Sequence, residues 1–298
     1  MSKFHTPVLL KEAINALDVK KNKQYIDATV GGGGHTQEIL KRGGIVLGID
    51  LDQEALDYVK DNFKLQIANF KLFLTKGNFK DIDKIAHLNN FSKVWGIIFD
   101  LGVSSRQIDN AQRGFSFLRQ GPLDMRMDKN SHVTAEYLVN ILGKGELYAI
   151  FNKLGQETHA RAISSVIAST RRVKAIQTTG ELSKVVQKAY GINGEISDFT
   201  KNRINQKVFQ ALRIAVNNEL ENIEKALPKA LELLESGGKL VVLSFHSLED
   251  KIVKEAFINF EKQNMGKIIT KKPITASEEE VNINPRSKSA KLRVFEKN

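Results

Sequence analysis

The stretch Gln24–His35, Q-Y-I-D-A-T-V-G-G-G-G-H, decides the fold of this chain. Its first seven residues suit a buried strand, and four consecutive glycines end it. A helix is expected from about His35 to Arg42. Ile45–Asp50 (IVLGID) reads as the next strand and Gln53–Asn62 as a helix. Phe70–Thr75 is the third strand and Val94–Asp100 (VWGIIFD) the fourth. Strands and helices alternating at this spacing predict βαβ units and a parallel sheet.

Glycines are needed where backbone must approach a ligand closely or adopt positive φ. A helix start just beyond them offers free N–H groups to an anionic ligand group. Asp50 ends the second strand about 20 residues after the loop, where such folds place an acid on ribose hydroxyls. Two ligand classes share this layout, dinucleotides and S-adenosylmethionine. The dinucleotide fingerprint G-x-G-x-x-G/A is met at its first two glycines but has Thr36 at its last position. The leading D-A-T-V-G-G-G-G, with Asp27 at the strand's end, looks more like the acid-then-glycine loop of class I methyltransferases. The loop alone leaves an NAD(P)-dependent oxidoreductase open, although no Tyr-x-x-x-Lys or similar hydride-transfer pair accompanies it.

The fourth strand ends in Phe99-Asp100-Leu101-Gly102-Val103-Ser104-Ser105. Ligands of open α/β sheets bind outside the carboxyl ends of the strands. Amino-methyltransferases carry an acidic or amide residue here, for a chemical reason. An exocyclic amine of cytosine or adenine is a poor nucleophile because its lone pair is delocalised into the ring. Asp100 and nearby carbonyls would hold the amine hydrogens and favour a pyramidal nitrogen, aligned for in-line attack. The alternative role for Asp100 is to cap the next turn.

Beyond Gly102 the alternation stops. Ser104–Asp128 is rich in Gly, Arg, Ser and Asp, and Ala135–Tyr190 carries apolar residues at helical spacing. Gly191–Asn205 is a polar break. A helix is expected over Val208–Leu227, ended or kinked by Pro228, with a second run to Glu235 that Gly237-Gly238 stops. Lys239–Phe245 is a strand, His246–Glu261 a helix, and short strands near Lys267–Ile269 and Lys291–Phe295 complete the sheet. The expected fold is α/β, a class I (Rossmann-like) methyltransferase sheet with an inserted all-helical domain. Residues 1–104 and 206–298 would form the discontinuous sheet domain with the glycine loop, and 105–205 an inserted helical domain.

Composition narrows the function classes. The chain has 298 residues, no Cys and a net charge of +11. Without Cys there are no disulfides, zinc-thiolate sites or thiol catalysis. No apolar run reaches membrane-spanning length and the amino terminus lacks a signal-peptide core, so a cytoplasmic protein with no membrane partner is expected. Residues 106–213 hold 17 basic and 9 acidic side chains, and residues 251–298 hold 11 and 6. The remaining residues hold 17 and 19, so the excess is segregated, which points to a polyanionic partner.

Further motifs are His5-Thr6-Pro7-Val8-Leu9-Leu10, Arg113-Gly114-Phe115-Ser116-Phe117 and Gly121-Pro122-Leu123-Asp124-Met125-Arg126-Met127-Asp128. Later in the chain come Phe209-Gln210-Ala211-Leu212-Arg213-Ile214, Ser244-Phe245-His246-Ser247-Leu248-Glu249-Asp250 and Asn284-Pro285-Arg286. Together with the two loops they resemble the RsmH (MraW) family of bacterial 16S rRNA cytosine-N4 methyltransferases, from His5 to about Arg293. The resemblance implies methylation of N4 of one decoding-centre cytidine in 16S rRNA, with S-adenosylmethionine as cofactor. It implies action on the small ribosomal subunit or a late assembly intermediate. Carried over by position, the cofactor-binding residues are Gly33, Gly34, His35, Asp50 on the ribose, Phe79 beside the adenine, and Asp100 and Gln107 on the methionine side. Asp100 is also the catalytic residue. This chain has Arg106 where the family often has Pro, and Arg203-Ile204-Asn205-Gln206-Lys207-Val208-Phe209-Gln210 where it commonly reads H-P-A-T-R-x-F-Q. Lys207 keeps the charge there but not a bidentate guanidinium. A homodimer is compatible with the sequence and not dictated by it.

The other candidates carry less. His246 and Glu249 are spaced i,i+3, but without H-E-x-x-H or Cys no metal site is expected. Ser247 with Asp250 reads as an N-cap and first-turn acid beside the active site. Phe115 and Phe117 among Arg113, Arg119 and Arg126 suit base stacking with phosphate anchoring, or equally core packing. Arg171-Arg172-Val173-Lys174 and Lys201, Arg203 and Lys207 are phosphate-contact candidates, and Ser277–Glu280 reads as a mobile acidic loop. A non-catalytic RNA-binding assembly factor on the same fold is the remaining rival.

Overall fold

The computed structural model describes residues 7–298, so His5 and Thr6 of the first motif lie outside the described residues. The chain forms two compact units, one comprising residues up to Gly102 with Leu220–Asn298, the other Val103–Glu219.

The first unit is α/β. Its strands are β1 (Gln24–Asp27), β2 (Ile45–Asp50), β3 (Leu72–Lys76), β4 (Val94–Asp100), β5 (Leu234–Ser244), β6 (Gly266–Ile268), β7 (Ile274–Thr275) and β8 (Lys291–Lys297). They lie in the order β3-β2-β1-β4-β5-β8-β6, with β7 beside β8. The first five pair in parallel and β8 runs antiparallel to β5. This is a Rossmann-like sheet, with its order reversing between β1 and β4. Alternate residues feed opposite cores. Ile26, Leu47, Ile97, Phe99 and Val242 pack on one face, and Tyr25, Val46, Ile98, Val241 and Leu243 on the other. Burial on both faces explains why these strands read as continuous apolar runs.

Several boundaries differ from expectation for local reasons. The third strand starts at Leu72, because Phe70 sits at φ 53° and is 75% exposed. Gly237-Gly238 does not end a helix. The helix stops at Leu233, β5 begins at Leu234, and a bulge intervenes in which pairing with β4 jumps from Leu234 to Lys239. Gly237 takes φ 76° in that bulge, a conformation glycine adopts without a steric penalty. Pro228 lies inside the helix Glu219–Leu233. The break sits earlier, at Asn218, whose left-handed φ of 51° ends the helix Asp198–Asn217. Ser277–Glu280 is not a loop: Ser277 caps a helix over Glu278–Ile283, and Glu280 accepts the Leu9 N–H at 2.7 Å.

The second unit packs helices Ala135–Ile141, Lys144–Lys153, Ala160–Thr170, Thr179–Ala189 and Asp198–Asn217 around Leu138, Phe151, Ile163, Leu182, Ile204 and Val208. Thr134, Thr178 and Ser197 cap three of these helices with side-chain oxygens. The polar break is shorter than Gly191–Asn205, since Ser197 starts the last helix at Asp198. That helix buries Ile204, Val208, Phe209 and Leu212 in this unit, which therefore extends to Glu219 where the sequence suggested a boundary at 205/206.

Candidate functional site

In the first unit β1, β2 and β4 each end in an aspartate, Asp27, Asp50 and Asp100. Parallel pairing in register brings these three ends to one edge, at the reversal of strand order where open α/β sheets bind ligands. The glycine loop crosses that edge. Gly31 and Gly33 take φ 48° and 77°, and Gly33 is the N-cap of the helix Gly34–Lys41. A Cβ on Gly33 would lie 3.1 Å from the Phe63 ring, and one on Gly34 would lie 2.1 Å from Pro7 Cγ. Gly33 and Gly34 are therefore glycines for close packing as well as for backbone geometry.

Asp50 organises the loop. Its Oδ2 accepts the Gly31 N–H at 2.8 Å and its Oδ1 accepts the Asp52 N–H at 2.8 Å. A carboxylate offers about four lone-pair directions, so two hydroxyls can still be bound there. Burial raises the Asp50 pKa to about 6 against these two hydrogen bonds. Asp27 is committed to structure. Its Oδ2 accepts the Thr36 hydroxyl at 2.7 Å and its Oδ1 the Thr29 N–H at 3.3 Å, while burial raises its pKa to about 6. Thr36 is the residue that departs from the dinucleotide fingerprint. Its hydroxyl ties the helix to β1, a bond that glycine or alanine could not make.

Asp100 is the strongest chemical candidate. Its backbone N–H donates to Thr29 Oγ1 at 2.7 Å, so Thr29 links Asp100 to the glycine loop. Asp100 Oδ2 lies 3.7 Å from His35 Nδ1, and Oδ1 has no hydrogen-bond partner among the described residues. Burial first, then the charges of Asp27 and Glu249, raise its pKa to about 8. With a pKa near 8 this carboxyl is largely protonated at neutral pH, and a cation beside it would favour its ionised form. Phe79 begins the single turn Phe79–Asp81 and meets Phe99 edge-on at 5.6 Å, while the Gly77 N–H donates to the Asp50 carbonyl. Its ring is thereby fixed beyond the end of β2.

The first unit thus gathers Gly33, Gly34, His35, Asp50, Phe79 and Asp100 at loops following its strands. Gln107 belongs to the second unit. There its Oε1 accepts the Ser104 N–H at 3.0 Å while Ser104 caps the helix Ser105–Asp109. After β5 the expected cap is displaced by one residue. His246 is the N-cap of Ser247–Lys262, and Glu249 Oε2 accepts the Phe245 N–H at 2.8 Å. Asp250 is no dipole partner alone: it accepts two bonds from the Arg293 guanidinium and lies 3.1 Å from Lys291 Nζ. Thr29 and Thr36 were not expected at the site, and their signal was only their position beside Asp27 and the glycines.

The second unit overturns the stacking reading of its arginine-rich loop. Arg113 is 3% exposed and donates to the carbonyls of Arg126 and Met127 at 3.0 Å each. Arg126 forks onto both oxygens of Asp124 at 2.8 Å. Phe115 lies in the core, and Phe117 packs edge-on against Phe209. These guanidinium groups and rings hold the loop together from inside.

A model of the MraW methylase family matches residues 2–298. The chain is 43% identical over 311 residues to Ribosomal RNA small subunit methyltransferase H of Halothermothrix orenii, covering 98% of each chain. It is 44% identical over 295 residues to the protein of the same name from Persephonella marina, covering 97% of this chain and 98% of that one. With the counterpart from Coprothermobacter proteolyticus it is 41% identical over 295 residues, 98% of this chain and 96% of the relative.

Proposed function

The chain belongs to the MraW methylase family, and from that premise we propose that it is an S-adenosylmethionine-dependent methyltransferase of small-subunit ribosomal RNA. The reaction we assign is methylation of the N4 amine of a decoding-centre cytidine in 16S rRNA, within a cytoplasmic small subunit or a late assembly intermediate. The relatives' shared name supports the substrate class, and the acidic strand ends support the cofactor.

The observation that carries this reading is Asp100, buried, beside Asp27 and Glu249, with one oxygen unclaimed among the described residues. Such a concentration of buried carboxyls attracts a cation and repels a pyrophosphate. S-adenosylmethionine carries a sulfonium and an ammonium, which fits. A nicotinamide dinucleotide would bring two negative phosphates to the same edge. The residues present match the cofactor's parts: Asp50 for the ribose hydroxyls, Phe79 for the adenine face, and Gly33, Gly34 and His35 for the close backbone approach. Gln107 is the contribution we assign to the second unit.

When bound, the cofactor supplies an electrophilic methyl group. Asp100 does the rest of the chemistry we assign. Its carboxylate accepts a hydrogen bond from the exocyclic amine, keeps the nitrogen lone pair directed outward, and takes the proton released once the new bond has formed. His35 Nδ1 lies 3.7 Å from Oδ2, at the same strand-end edge. The basic, helical second unit, Val103–Glu219, serves as the RNA-binding part. The test is incubation of intact small subunits and of naked rRNA with methyl-labelled cofactor, followed by nucleoside mapping. Label in N4-methylcytidine supports the reading; tight RNA binding without label would leave a non-catalytic assembly factor.

A further inference from the structure

Arg113 and Phe115 are buried and Arg126 is bonded to Asp124, which leaves other rings and cations of the second unit open to RNA. His159, half exposed, stacks on Tyr190 with ring centroids 4.1 Å apart and planes 27° from parallel. The pair is fixed from beneath by Glu157, which is 3% exposed. Glu157 Oε1 accepts the Tyr190 hydroxyl at 2.9 Å and the His159 backbone N–H at 2.8 Å, with the imidazole Nδ1 at 3.6 Å. Burial and this carboxylate push the Tyr190 phenol above the usual tyrosine range, so it stays a donor. A ring held this way loses little rotamer freedom when a base stacks on it.

Cations flank the pair. Phe199, Arg203 and Lys207 recur every four residues along the helix Asp198–Asn217, and so share one face. Phe199 is 76% exposed, Arg203 and Lys207 are exposed, and neither cation makes an ion pair among the described residues. Arg203 is near enough to act electrostatically on Tyr190, and Lys207 Nζ donates to the Gln156 carbonyl, one residue before Glu157. A planar ring pair beside an aromatic–Arg–Lys stripe matches the two recurrent demands of single-stranded RNA, a π-face for a base and cations for phosphates.

We infer that His159 and Tyr190, with Phe199, Arg203 and Lys207, form a docking surface for a single-stranded segment of the RNA substrate. This rests on the rRNA reading of the function. It places a base on the open face of His159 and phosphates against Arg203 and Lys207.

The test uses the full-length protein and a short fluorescein-labelled single-stranded RNA, read by anisotropy across a salt series. His159→Ala is expected to weaken binding roughly ten-fold, whereas His159→Phe, which keeps the ring, stays within about two-fold of the parent. Arg203→Gln with Lys207→Gln lowers the salt slope by roughly 1.4, two phosphate contacts on a single strand. Thermal melting and S-adenosylmethionine affinity of each variant check the fold. Unchanged RNA affinity in folded His159→Ala, or equal loss in His159→Phe, overturns the surface. Failure of the parent protein to bind the RNA while it still binds the cofactor overturns the rRNA reading instead.

Discussion

The two units of this chain use buried charge differently at one prominent place each. In the first, three carboxyls sit at the ends of β1, β2 and β4, each with a pKa raised by burial. In the second, a buried guanidinium, Arg113, donates to the main-chain carbonyls of Arg126 and Met127 and lies within electrostatic reach of Asp124. The difference separates a binding edge from a scaffold. Carboxyls held partly protonated store a preference for a cation that has yet to arrive. A guanidinium bonded to main-chain carbonyls serves instead to fix a loop. Charge near a functional surface is informative only when its hydrogen-bonding capacity is unspent.

The sharpest way to break this contrast is Asp50→Ala. It removes the acceptor for Gly31 and Asp52 and the hydroxyl-binding oxygens together. We expect S-adenosylmethionine affinity to fall at least about 100-fold, given roughly 1.5–3 kcal/mol for each charge-assisted hydrogen bond. Calorimetric titration measures this, and an affinity close to the parent's would remove Asp50 from the site. Asp100→Asn is next. Turnover should drop about 100-fold or more and cofactor affinity roughly ten-fold, the larger loss being the mark of a group needed in the transition state as well as for binding. Equal losses in both would make Asp100 a binding residue.

Asp100 also gives the first unit a pH dependence with a definite sign. Its folded pKa, about 8, lies above the ordinary aspartate value, and those of Asp27 and Asp50, about 6, do too. The native state therefore binds more protons than the unfolded chain between those values. Stability of the cofactor-free protein falls as pH rises from about 4 to about 8 and levels off above that. The melting temperature should thus be higher at pH 6 than at pH 8, and Asp100→Asn should flatten the upper part of that slope. A melting temperature that rises over the same interval would show that these carboxyls are ionised in the folded protein.

Arg113→Met probes the other side of the comparison. It leaves two buried carbonyls without a donor and should destabilise the chain by about 2–4 kcal/mol. Cofactor affinity of the folded fraction should be unaffected. Denaturant titration in the presence and absence of cofactor separates these outcomes. A loss of cofactor binding in folded Arg113→Met would mean that the loop is more than a scaffold.

What could be read from the sequence follows the same division. The glycine loop, Asp50 and Asp100 were legible because strand ends, turn residues and acids recur at spacings dictated by the sheet itself. The bulge at Gly237 and the break at Asn218 were not, since Gly-Gly and Pro are both generic stop signals. Register with β4 decides the first, and a single left-handed residue the second. Arg113 and Phe115 stayed undecided between stacking and core packing for a deeper reason. Composition states that a guanidinium and a ring are present, but only packing states whether their bonding capacity faces in or out. The capping role of His246 was hidden likewise, because Ser247 beside it is the commoner N-cap.

The smallest expected effect tests the rule within a single run, Arg171-Arg172-Val173-Lys174. Arg171 donates to the Val139 carbonyl at 2.6 Å and Lys174 pairs with Glu181 at 2.7 Å. Arg172 is exposed and makes no ion pair among the described residues. Arg172→Gln should therefore lower RNA affinity by only about two- to three-fold and reduce the salt slope by roughly 0.7. Arg171→Gln should leave the slope alone and cost about 1 kcal/mol of stability through the lost carbonyl contact. If the two exchange behaviours, spent hydrogen bonds do not decide which cations meet phosphate, and the division between the inner and outer arginines of this unit falls.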